Sequence, residues 1–188
     1  MMTFTSRPLY GGAIICELPT DWEDLSDIRQ VPDHQEAFIG TDSEEPLFAI
    51  EIMEYQGSIS NDQAAKHYFD DLAKANGSSM NDFLPYLVTM NAFLPYLEGT
   101  SSSLEISAGI GLQQIPMGRD VDIDRNPRMN QEVRTVQIEL CVVRLPQVPT
   151  DLLLTLSRTK PARDNQLSEE FRRIVSTLQI RDWGVFGS

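Results

Sequence analysis

VVRLPQVPTDLLLTLS, Val142 to Ser157, holds two apolar runs separated by PQVPTD. So short a connection joins strands in the antiparallel sense, because a parallel pair needs a crossover of a dozen residues or more. The run LLLTL is apolar at successive positions, so both faces of its strand are buried and the sheet carries cover on each side. The two strands span Val133 to Leu145 and Leu152 to Leu156.

Downstream, Phe171, Ile174, Val175 and Leu178 recur at i, i+3, i+4 and i+7, which predicts a helix over Ser168 to Gln179. Glu169 and Glu170 sit in its first turn, where the helix dipole favours them. The tail DWGVFGS then docks through Trp183 and Phe186. Upstream, Leu104 to Leu112 alternates large apolar residues with Glu, Ser and Gly, a strand whose nearly bare face leaves room for something to lie across it. LFAIEIMEY, Leu47 to Tyr55, is another strand, and its alternation sends Glu51 and Glu54 to opposite faces. LYGGAIICELP, Leu9 to Pro19, reads as a first strand in which Gly11 and Gly12 let the backbone bend or come close to a neighbour. Ser60 to Gly77 reads as a helix with a Ser60/Gln63 capping box and an Ala65, Tyr68, Leu72, Ala75 stripe, ended by Asn76 and Gly77. The near-copies NDFLPYL from Asn81 and NAFLPYL from Asn91 are too few for a solenoid and read as an irregular apolar segment against the sheet. Together these elements predict an α+β fold, an antiparallel β-sheet sandwiched between α-helices, in one domain over residues 1–188.

Charge is unevenly placed. Of a net charge of −13, residues 17 to 54 carry −11, from twelve carboxylates against Arg29 alone. A field of one sign steers a partner of the opposite sign and repels nucleic acid and anionic lipid, so a basic protein surface is the expected target. Within this segment lies DLSDIRQVPDHQE, Asp24 to Glu36. Leu25 and Ile28, three apart, pin one helical turn to the core, with Asp21 as its cap and with Asp24 and Asp27 facing outward. Pro32 stops that turn, and Asp33 to Glu36 run away from it with their acids at a rim. Spacing alone reads this first as a solvated acidic loop.

Other chemistry is weakly represented. Cys16 and Cys141 lie in strand-like apolar runs and read as packing. No stretch is apolar and long enough to span a bilayer, and the start lacks a basic segment followed by an apolar one, so a soluble intracellular protein is expected. His34 and His67 stand in different elements without metal-ligand spacing, and no metal or cofactor is expected. Gly109 and Gly111 fall inside a strand pattern, no phosphate-cradling GxxxxGK[ST] occurs, and no G-x-S-x-G elbow is present. DVDIDRN, Asp120 to Asn126, opens like a calcium loop, but Arg125 replaces the turn glycine and Gln131 the bidentate glutamate. A carboxylate pair for hydrolysis needs a sugar-lined cleft, and near the acidic segment the sequence offers mainly Trp22 and Phe38.

LYGGAI at Leu9, DLSDIRQVPDHQE at Asp24, LFAIEIMEY at Leu47, HYFDDLA at His67 and VVRLPQVPTDLLLTLS at Val142 occur in that order. Together they resemble the Ran guanine nucleotide release factor family, the Mog family of nuclear transport proteins; the segment from Ser78 to Asn130 matches only loosely. The resemblance implies a sheet between helices, a fold shared with PsbP-like proteins. It also implies a non-enzymatic protein, a monomer, that binds the small GTPase Ran and releases its nucleotide, in the nucleus and also in the cytoplasm. By motif it puts the family's functional acids on Asp24, Asp33 and Glu36 and on Glu51 and Glu54, and Asp27, beside Asp24, completes the set. The alternatives are an acidic adaptor for basic transport factors and a carboxylate-pair hydrolase.

Overall fold

The computed structural model describes residues 2–42, 44–86, 105–116, 132–160 and 166–187. In chain order the strands are β1 (Phe4–Leu9), β2 (Ile14–Pro19), β3 (Glu23–Asp24), β4 (Gln35–Ile39), β5 (Leu47–Glu54), β6 (Asn81–Tyr86), β7 (Glu105–Pro116), β8 (Val133–Leu145), β9 (Thr150–Arg158) and β10 (Gln179–Ile180). The helices are α1 (Ala64–Asn76) and α2 (Glu169–Ser176). A seven-stranded antiparallel sheet runs in the order β3-β4-β5-β9-β8-β7-β6, with the expected β8–β9 hairpin near its middle.

Period-two alternation divides this sheet between two cores. Leu152, Leu154 and Leu156 of β9 join Cys141, Val143 and Leu145 of β8 against Phe171, Ile174 and Val175 of α2. Leu153 joins Leu140 and Val142 on the other face, against Ala64, Ala65, Tyr68 and Phe69 of α1. The expectation of cover on both faces holds, with one correction: α2 shares its face with a second sheet, β1-β2-β10, which supplies Ile14, Cys16 and Leu18 to the same core. That sheet exists because Leu9 to Pro19 is a hairpin turn and one strand rather than a single bent strand. Tyr10, Gly11 and Gly12 take φ of 50°, 65° and 94° in succession, which reverses the chain. Cys16 and Cys141 are both free and buried, and burial pushes the Cys16 thiol up to about 12.

The first FLPYL copy, described to Tyr86, is the edge strand β6 rather than irregular chain; Pro85 is tolerated because an edge strand leaves one side of its backbone unpaired. The second copy, from Asn91, and the DVDIDRN segment lie outside the described residues. The bare face of β7 is filled. An added Cβ at Gly111 would meet Phe69 Cζ and the Asp82 carbonyl oxygen, each at 2.3 Å, and at Gly109 it would meet Phe83 Cζ at 2.0 Å. Helix α1 begins with a short 3₁₀ turn, Asn61–Gln63, and the Ser60 side chain makes no capping bond to it. The expected capping box fails because Gln63 Nε2 turns to Asp62 at 3.0 Å. The buried stripe is Ala64, Ala65, Tyr68, Phe69 and Ala73, while Ala75 is exposed. Gly77, at φ 62°, ends the helix as expected, and Ser168 caps α2 by accepting from the Phe171 N–H.

Arg144 and Asp151, both charged residues of the apolar hairpin, face each other across β8 and β9 and are 1% and 0% exposed. Arg144 Nε donates to Asp151 Oδ1 at 3.1 Å, Nη1 to the Ile59 carbonyl and Asn61 Oδ1, and Nη2 to the Gln56 carbonyl. Asp151 Oδ2 accepts from the Tyr68 hydroxyl at 2.9 Å and from the Gln56 N–H at 3.1 Å. Asp151→Ala leaves the guanidinium uncompensated in the interior and is expected to cost about 3–5 kcal/mol in denaturant unfolding. Gly111→Ala is expected to cost about 1–3 kcal/mol by the same measurement, because the Asp82 backbone cannot move aside freely.

Candidate partner-binding site

Glu23 and Asp24 form β3 opposite Ile39 and Phe38 of β4. The chain then makes a 3₁₀ turn, Leu25–Asp27. Its cap is Asp24, whose Oδ1 accepts from the Ser26 N–H at 2.8 Å, and not Asp21; the side chain one residue before the turn has the short reach a cap needs. Leu25 is buried with Ala37 and Ala49, but Ile28 is 60% exposed, so a single residue anchors the turn instead of two. A 3₁₀ turn places residues differently from the α-helical spacing on which the pairing was based. Asp27 is exposed on this turn and Asp33 on the loop that follows Pro32. That loop closes through the Gln35 N–H to the Pro32 carbonyl and joins β5 through the Ile52 N–H to the His34 carbonyl, each at 2.9 Å.

Strand register sorts the remaining acids. Gln35 pairs with Glu51 and Glu36 with Ile50, so Glu36 lies on the face of Ile50 and Ile52, while Glu51 lies on the opposite one. Glu54 returns to the Glu36 face, four residues beyond Ile50 and so about 13 Å along the strand. Asp24, cross-strand to Phe38, lies on the Glu36 side and is close enough to raise its pKa. The structure thus gathers Asp24, Glu36 and the Asp33 loop at one rim, with Asp27 on the adjoining turn. It separates Glu51 and Glu54 from each other, as their spacing requires.

Glu36 is half-buried, and its Oε1 accepts from the backbone N–H of Tyr10. Burial raises its carboxyl, the Tyr10 bond lowers it, and Asp24 raises it further. Glu51 is raised by burial, against a hydrogen bond from Gln35 and the proximity of His34. Glu51 also lines a cleft of about 680 Å³ on the α1 face of the sheet, with Gln35, Leu47, Ala49 and Leu72. Three other acids of the charged segment are taken up internally: Glu17 by Arg173 at 2.8 Å, Glu44 by Arg158 at 3.3 Å and Glu45 by Arg134 at 3.5 Å. Among the described residues, none of Asp24, Asp27, Asp33, Glu36, Glu51 or Glu54 pairs with a cation, so the rim keeps its negative field. Charge placement marks the segment and the family resemblance singles out these acids within it, whereas neither points to Tyr10, His34 and Gln35, which hold them.

A carboxyl raised in the folded state favours its protonated form, so Glu51 withdraws stability as pH rises from the unfolded carboxyl range through its folded pKa. Glu51→Gln is therefore expected to raise the melting temperature at neutral pH. The gain should shrink as pH falls below the ordinary carboxyl range, where wild type is protonated too; thermal melts across pH check this.

The family described as Ran-interacting Mog1 protein matches residues 7–159. A curated relative from Danio rerio, named Ran guanine nucleotide release factor, is 30% identical over 199 residues, covering 97% of this chain and all of the relative. One of the same name from Bos taurus is 30% identical over 196 residues, covering 96% of each. The crystal structure of the Saccharomyces cerevisiae Ran-binding protein Mog1p superposes with a TM-score of 0.68 at 18% identity, over the full length of both chains, and so shares the fold. The antiparallel sheet with its flanking helices and the match over residues 7–159 together lead to one assignment: this chain belongs to the Ran-interacting Mog1 family.

Proposed function

We propose that this protein binds a Ran-type small GTPase and promotes release of its guanine nucleotide, acting as a non-enzymatic factor in nuclear protein import. The observation that carries the reading is the rim formed by Asp24, Asp33 and Glu36, carboxylates that no cation among the described residues neutralises, held on an ordered strand and loop. Family membership and the names of the relatives support the same partner. The site of action is the nucleus, with the cytoplasm as the second compartment.

A GTPase holds its nucleotide with backbone amides, a P-loop lysine and magnesium, all electropositive. Asp33 and Glu36 pair with that lysine or with basic residues beside it, and so compete with the phosphates. Asp24 and Asp27 strengthen the field that steers encounter, and Glu51 and Glu54 widen the contact on either face of β5. Linkage makes the effect reciprocal: a partner that prefers the empty GTPase weakens nucleotide binding by the same factor. No bond is made or broken, so no residue serves as acid, base or nucleophile.

The test follows a fluorescent guanine nucleotide leaving the GTPase on addition of the protein. Wild type is expected to speed release, and Asp33→Lys or Glu36→Lys to lose about tenfold or more of that effect, with Asp33→Lys, at an exposed position, retaining the melting temperature. Rising salt should weaken association, since exposed charges are screened beyond about 8 Å at physiological ionic strength. Unaltered release with tight binding to basic transport factors would favour an adaptor, and turnover of a small substrate without any GTPase would favour an enzyme.

A further inference from the structure

We propose that Tyr10 is a positioning residue for partner recognition: the left-handed turn at Tyr10–Gly12 ties down Glu36 and the loop before it, so that a carboxylate pair meets the partner's cation at fixed spacing. This rests on the GTPase-binding reading above.

Tyr10 is one of two non-glycine residues at positive φ among the described residues, at 50°. A bulky side chain rarely adopts that conformation, and such a residue persists only where its surroundings determine it. Here they do so at both ends. The Tyr10 backbone N–H donates to Glu36 Oε1, 26 residues away in sequence. Its hydroxyl donates to the Ile50 carbonyl at 2.8 Å and lies 3.0 Å from the His34 carbonyl. One residue of the turn between β1 and β2 therefore touches the large sheet on both sides of the site: the acid itself, the backbone just before it, and the strand that backs it.

This arrangement divides the labour of the Glu36 carboxylate. Oε1 is committed to the Tyr10 amide, and among the described residues Oε2 carries no hydrogen bond, which leaves it for a cation. Asp33 lies directly before His34, whose carbonyl sits between the Tyr10 hydroxyl and the Ile52 N–H. The loop is thus ordered before any partner arrives, and the entropic cost of fixing it does not fall on the binding step.

The experiment uses the full chain with a Ran-type GTPase carrying a fluorescent guanine nucleotide, and reads release rate against protein concentration to give a half-saturating concentration and a maximal rate. Tyr10→Phe keeps the ring and the N–H but removes the hydroxyl. It is expected to raise the half-saturating concentration roughly three- to tenfold with the maximal rate little changed. Asp33→Asn with Glu36→Gln weakens binding, and adding Tyr10→Phe to that pair is expected to weaken it no further, because the hydroxyl acts on the loop that carries Asp33 and the N–H on Glu36. A loss of packing unrelated to these two acids would instead make the effects multiply, and that result overturns the proposal. Gly12→Ala provides a second probe: φ is 94° and no atom lies within 4 Å of an added Cβ, so it disturbs the turn without creating a clash. It should act in the same direction and with the same non-additivity, and it carries the test if Tyr10→Phe does not fold. If wild type speeds release and Glu36→Gln weakens it while both Tyr10→Phe and Gly12→Ala match wild type, positioning by Tyr10 is wrong and the GTPase reading stands. If wild type leaves release unchanged, both fall.

Discussion

The buried pair of Arg144 and Asp151 fixes the register from which the rest of the sheet is counted. A slip by one residue between β8 and β9 would turn every side chain of the hairpin to the other core and separate the two charges in the interior. With that register set, Leu153 of β9 stands opposite Glu51 of β5, and Glu51 opposite Gln35 of β4. The face on which each acid emerges, on β5, β4 or β3, is therefore decided one to three strands away from Asp151. The same guanidinium binds the carbonyls of Gln56 and Ile59, and Asp151 binds the Tyr68 hydroxyl, so the pair also sets where α1 begins and how it lies on the sheet.

The acidic rim illustrates how charge can be concentrated without being neutralised. Arginines from α2, β8 and β9 take up Glu17, Glu45 and Glu44 of the charged segment. Glu36 instead meets the repulsion of Asp24, and burial penalises the charged form of both Glu36 and Glu51. Such a penalty at neutral pH is not a stabilising arrangement, and it accords with groups retained for binding, where stability and function pull apart.

What was legible in the sequence follows from how local each feature is. LLLTL announced a strand buried on both faces, and the Phe171, Ile174, Val175, Leu178 stripe announced α2, because each depends on periodicity within one element. The second sheet was not legible, because Gly11-Gly12 permits either a bend or a reversal and Tyr10 at positive φ has no sequence signature. The acids were visible as a charge run, and the opposite faces of Glu51 and Glu54 followed from alternation alone. The Tyr10 contact with Glu36 spans two sheets and appears only once both are folded. Arg144 is a charged residue inside an apolar run, which already signals a buried partner, and that partner, Asp151, lies seven residues away.

β9 carries a second clasp at its other end, and the two together explain why the acids can be rigid. Arg158 binds Glu139 at 2.6 Å and also Glu170 of α2, while Glu139 Oε2 accepts from the Ser168 hydroxyl at 3.0 Å, at the cap of that helix. Burial still raises the Glu139 carboxyl against these partners, so the clasp orders α2 on the sheet at some cost to its own charge. Arg158 also reaches Glu44, and the Thr159 N–H binds the Glu44 carbonyl at 3.0 Å, which anchors the loop leading into β5. β5 is therefore tethered near its start by Arg158 and adjoins the Asp151 network at its end, where the Gln56 N–H meets that carboxylate. β4, hydrogen-bonded along β5 and latched by Tyr10, has little freedom left to lose. The backbone that carries Glu36, Glu51 and Glu54 is thus ordered by buried arginines during folding, and a partner that met those acids would not have to fix it.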